Sequence, residues 1–186
     1  MQTLWWLIAA GLLLHRDVAA HLPTAGFGGA GLLTLACLQI VVGHLLWANP
    51  VWSDDPVGSW PVINLLGLAY LAPALALAWL AWDRALILGD PVRAGLRVGA
   101  ALLVLIYVSL EVRRAFQGPL LDLARGAGGA EIYAYSAAWI ALAAAALAVG
   151  IARRSAAWRH GALALLSLTV LKVFVYDMDF NNKRGG

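Results

Sequence analysis

Residues 26–48, and again residues 137–152, contain no aspartate, glutamate, lysine or arginine. A helix in a water-soluble fold needs a polar face to show the solvent, and neither stretch has one. A chain built of such runs folds where lipid is the solvent. Composition agrees: 62% of the 186 residues are hydrophobic and 12% are charged, against roughly 25% charged in a soluble domain. The expected fold is all-α, a polytopic transmembrane bundle of about six helices.

The net charge of +3 comes from 13 basic residues that lie mostly between apolar runs. This distribution argues against nucleic acid as a partner, because a nucleic-acid surface needs clustered Lys/Arg on one face. The nine tryptophans fall mostly near segment ends, as interfacial anchors do. With one cysteine, Cys37, a disulfide framework or a cysteine metal site within the chain is excluded. The amino terminus, MQTLWWLIAAGLLLHRD, lacks both the basic n-region and the cleavage site of a secretory signal.

A spanning helix takes about 20 residues, and on that length the runs fall at 4–22, 26–48, 61–82, 98–116, 131–152 and 161–177. The first is the weakest, since His15, Arg16 and Asp17 interrupt it. Gly28, Gly29 and Gly31 open the second and suit close helix approach. Asp54 and Asp55 sit in a loop rich in proline and tryptophan and read as solvated carboxylates. Residues 83–97 read as a charged connection, and residues 179–186 as a polar tail. With six spans, Arg16, Arg84, Arg93, Arg97, Arg153, Arg154 and Arg159 face one side, and Arg113, Arg114, Arg125, Lys183 and Arg184 the other. The positive-inside rule then places both termini outside by a narrow margin.

Three polar clusters stand out. Tyr107, Glu111 and Arg114 share a face at i, i+4 and i+7 and read as an ion pair locking a helix end. With Arg113 the same residues offer a fork for phosphate oxygens. In EIYAYS, Glu131 and Tyr135 share one face and Tyr133 and Ser136 its neighbour; the bland reading is a helix-start carboxylate with interfacial tyrosines. The third holds Lys172, Tyr176 and Asp177. If the last helix meets the membrane at Gly161, Lys172 lies ~17 Å deep, near the middle of a ~30 Å core. Such a charge either pairs with Glu111 or Glu131 or snorkels to the interface. No catalytic signature is present, and His15, His21, His44 and His160 are scattered singly. Catalytic residues stay unassigned, and no metal or cofactor is expected.

LEVRRAF (110–116), AEIYAYSAAW (130–139) and LALLSLTVLKVFVYDM (163–178), in that order, resemble the carboxy-terminal part of the predicted multi-pass bacterial membrane proteins grouped as domain of unknown function 2339. NLLGLAYLAPAL (64–75) is similar to an earlier membrane segment of that family. The resemblance implies many helices, a bacterial cytoplasmic (inner) membrane location and no assigned activity, substrate or cofactor. Its recurrent motif positions fall here on Glu111, Arg113, Arg114, Glu131, Tyr133, Tyr135, Ser136, Lys172 and Asp177. This chain is shorter than such proteins and lacks the segment and final helix that usually follow Met178, so a truncated copy or fragment is expected. The functional expectation is a non-catalytic membrane module whose partners are membrane lipids, anionic lipid or glycolipid among them, and other helices or a second copy. A transporter or channel with Lys172 and an acidic partner lining a wet path is the alternative. A lipid-linked sugar or phosphate transferase is the third.

Overall fold

The computed structural model describes residues 2–22, 24–52, 56–58, 60, 64–121 and 125–177, with the side chains of Tyr176 and Asp177 excepted. The Asp54/Asp55 loop, Pro61 and the 179–186 tail lie outside the described residues. Among the described residues seven helices follow in order: α1 (Gln2–Leu13), α2 (Arg16–His21), α3 (Ala25–Trp47), α4 (Gly67–Trp82), α5 (Asp90–Gln117), α6 (Gly129–Ala152) and α7 (Ala156–Lys172), the last continuing as a π turn over Val173–Asp177. Among the described residues α3, α5, α6 and the run from Ala156 to Val175 are long and apolar enough to cross a membrane, while α1 and α4 are shorter apolar helices. The fold is a helical membrane bundle, as composition dictates.

The chain divides into two compact bodies, residues 1–111 with 118–123, and residues 112–117 with 124–186. In the first, α1 packs on α3 and α4. Leu7, Ala10, Ala36, Leu66, Tyr70, Leu80 and Leu103 are buried in its core. Of the three glycines that open α3, Gly29 makes the close approach: a Cβ there would lie 2.7 Å from Leu14, whereas Gly31 faces open space. The hydrophobic run of the first segment breaks at His15 because two backbone bonds tie that point to the α4–α5 loop, Arg16 N to Ala85 O at 2.8 Å and Ile87 N to Leu14 O at 2.9 Å.

Arg93 corrects the reading of residues 83–97 as a connection. Helix α5 starts at Asp90, with an acidic residue at the positive end of its dipole and Pro91 at its first turn. The Arg93 guanidinium is buried and donates to the carbonyls of Ala81 (3.3 Å), Asp83 (2.7 Å) and Leu86 (2.9 Å) through its terminal nitrogens and to Leu88 (3.1 Å) through Nε. These include carbonyls at the α4 end that the helix itself cannot satisfy. Arg93 is thus a clamp on the turn and not a loop charge held in water.

In the second body α6 and α7 pack along each other. At their turn, Gly150 lies under the start of α7, where an added Cβ would meet the Arg159 backbone nitrogen at 2.9 Å. Arg154 takes a left-handed φ of 49° as the chain reverses, the conformation that commonly ends a helix.

Candidate functional site

In the second body the carboxylate of Glu131, in the first turn of α6, is only 3% exposed. It accepts from Arg113 Nη1 at 3.3 Å, Gln117 Nε2 at 3.0 and 3.3 Å and Tyr135 Oη at 2.9 Å. Arg113 is itself 7% exposed. A buried ion pair of this kind holds only if further hydrogen bonds meet the remaining lone pairs and protons, and Gln117 and Tyr135 do that for the carboxylate. Gln117 lies four residues after Arg113 and Tyr135 four after Glu131, so each helix presents two members of the group on one face.

Lys172 stands beside this centre. Its ammonium donates to the Ile132 carbonyl and to the Ser136 hydroxyl, each at 2.8 Å. The α7 run begins at Ala156, five residues before Gly161. Lys172 is therefore about 24 Å from the start of a run that is described as far as Asp177. Its ammonium reaches toward the first turn of α6.

The other predicted site residues are divided between the two bodies. Glu111 belongs to the first body, where it accepts a short hydrogen bond from Asn64 Nδ2. Asn64 also accepts from Gly67 N at 2.9 Å and so closes the start of α4. Tyr107 is buried in that same core. Arg114 is half-buried in the second body, Tyr133 is 53% exposed, and Asp177 closes the π turn with its side chain outside the described residues. Also in the first body, Thr3 Oγ1 lies 2.9 Å from His44 Nε2, and Tyr70 donates to the His44 carbonyl at 2.8 Å.

Sequence reasoning missed Gln117, Asn64, Thr3 and Arg93. For Gln117 a signal existed, its spacing from Arg113; Thr3 and Asn64 meet His44 and Glu111, 41 and 47 positions away, and the carbonyls that hold Arg93 belong to a turn whose path spacing does not give. Among the described residues no three His, Cys, Asp or Glu side chains group to hold a metal.

A protein-family model described as "Predicted membrane protein (DUF2339)" matches residues 1–181. The chain belongs to this family. The match takes in α1 to α7 of this DUF2339 chain, so every residue of the Glu131 centre falls within the family's extent. The same comparisons found no match among curated proteins or solved structures.

Proposed function

We propose that this chain is a non-catalytic integral module of a bacterial cytoplasmic membrane whose second body holds the headgroup of an anionic lipid or envelope glycolipid. The supporting observation is the charge around Glu131. Besides the buried Glu131–Arg113 pair, the second body carries the half-buried cations Arg114, on α5, and Lys172, whose ammonium reaches the first turn of α6. Arginine forks and lysine ammonium groups between membrane helices are the chemistry that recognises phosphate-bearing headgroups.

A central wet path is less well supported, because the Lys172 ammonium is held by the Ile132 carbonyl and the Ser136 hydroxyl, each at 2.8 Å. A transferase would use Glu111 or Glu131 as general base, and Glu131 is engaged by three donors and Glu111 by Asn64.

The full chain in nanodiscs of mixed composition should enrich anionic over zwitterionic lipid in its bound shell. Arg114→Gln with Lys172→Met should weaken that preference by about fivefold per charge removed, on a scale of ~1 kcal/mol each. Equal shells for both lipid types would overturn the binding claim. Turnover of a lipid-linked substrate, lost in Glu111→Gln or Lys172→Ala, would overturn the non-catalytic one, and solute flux lost in Lys172→Met would favour transport.

A further inference from the structure

The turn between α6 and α7 gathers three arginines within seven residues, Arg153, Arg154 and Arg159. All three side chains are exposed, and none makes an ion pair among the described residues. Residues 132–176 contain no aspartate or glutamate. In the described second body the acidic residues are Glu131, 22 positions before Arg153, and Asp177, 18 positions after Arg159. Along the helices that is about 33 Å and about 25 Å, whereas charges in salt water are largely screened beyond ~10 Å. This end of the second body is therefore cationic, with nothing of its own to neutralise it.

Close packing brings the third arginine to the other two. A Cβ at Gly150 would meet both the Cγ and the backbone nitrogen of Arg159 at 2.9 Å, and the Cβ of Trp158 at 3.0 Å. The Arg159 stem thus lies against the last turn of α6, the turn that Arg153 closes and Arg154 follows. Trp158 is half-buried in the same place, as an indole at headgroup depth would be. Arg154 itself sits at a φ of 49°, where glycine goes freely and a residue with a Cβ is strained. Strain held at one residue points to work done by its side chain.

Guanidinium forks are matched by phosphate oxygens, and basic clusters at a membrane surface collect phosphate headgroups. A single phosphodiester brings one negative charge and leaves most of this cluster facing like charge. Two phosphates on one headgroup neutralise most of it. We infer that the α6–α7 turn is a headgroup site for a lipid carrying two phosphates, held by Arg153, Arg154 and Arg159 with Trp158 beside them in the interface. The site shares no residue with the Glu131 centre, so neither reading depends on the other.

The test uses the full chain in phosphatidylcholine nanodiscs with spin-labelled diphosphatidylglycerol or phosphatidylglycerol, matched in total charge. The motionally restricted fraction is read by electron paramagnetic resonance. Wild-type protein should retain the two-phosphate lipid about fivefold better, the worth of one further charge contact at a membrane surface. Arg153→Gln and Arg159→Gln should each lose that preference, and their exposed positions let the fold survive the change. Arg154→Gly should lose it while unfolding at a higher temperature, a pairing that a merely structural arginine would not give. Millimolar pyrophosphate at constant ionic strength should leave the lipid in place. Equal retention of the two lipids by wild-type protein overturns the two-phosphate headgroup. A wild-type preference in any of the three variants overturns the turn as its site, and displacement by pyrophosphate overturns a lipid as the occupant. All three variants keep Arg113, Arg114 and Lys172, so the change they cause is separate from lipid retention at the other end of α6.

Discussion

Taking the Glu131 carboxylate out of water costs several kcal/mol, which the Arg113 charge and the Gln117 and Tyr135 donors offset together. Removing one charge is therefore worse than removing both. Glu131→Gln should destabilise the second body by about 3–5 kcal/mol, because it leaves Arg113 buried without its counter-ion. Arg113→Met combined with Glu131→Leu should recover most of that loss. Denaturation in mixed micelles, followed by a fluorescent label on α7, measures both; a single variant as stable as the double one would refute the pairing. At this scale the sequence was half legible. The i, i+4 spacing of Glu131 and Tyr135 announced a shared face, and Glu111 with Arg114 announced another. What spacing could not announce is that Glu111 turns to Asn64, 47 positions away, since a helix face does not name the neighbour it meets.

Between helices, small residues decide how near two axes come, and position separates the ones that matter. Gly29→Val should cost about 1–3 kcal/mol by forcing Leu14 aside, while Gly31→Val, in open space, should stay within about 0.5 kcal/mol of wild type. Equal effects in a thermal-shift comparison would count against the α1–α3 packing. At the α6–α7 turn the left-handed Arg154 carries a backbone cost of roughly 1–2 kcal/mol that glycine escapes. Arg154→Gly should accordingly raise the midpoint of unfolding. Helix boundaries were legible where apolar runs were long. They failed at α5, whose first turns are charged, and at α7, which begins at Ala156 and not Gly161; the carbonyls that Arg93 serves, at residues 81–88, are gathered by the turn before it, and charge alone does not reveal that turn.

At the scale of the molecule, α6 has 24 residues and is about 36 Å long, which exceeds a ~30 Å hydrocarbon core. In a Cys37→Ser background, single cysteines at Gly126 and Arg154 should react with impermeant reagents from opposite sides of the membrane. Labelling from one side only would mean that α6 does not span. The apolar runs made this architecture legible from the outset, because lipid leaves few other ways to satisfy a backbone. Orientation was not legible: the charge difference between the two sides is narrow, and Arg93 is held where it is by carbonyls and owes nothing to membrane sidedness. The bridge that joins Leu14 and Ile87 across the break at His15 has a further consequence in time. Those residues leave the ribosome about 70 positions apart, so at ~5–20 residues per second the amino-terminal helix waits roughly 4–14 seconds for this partner. Throughout that interval the insertion machinery, rather than the rest of the chain, must shelter the open backbone at residues 14–16.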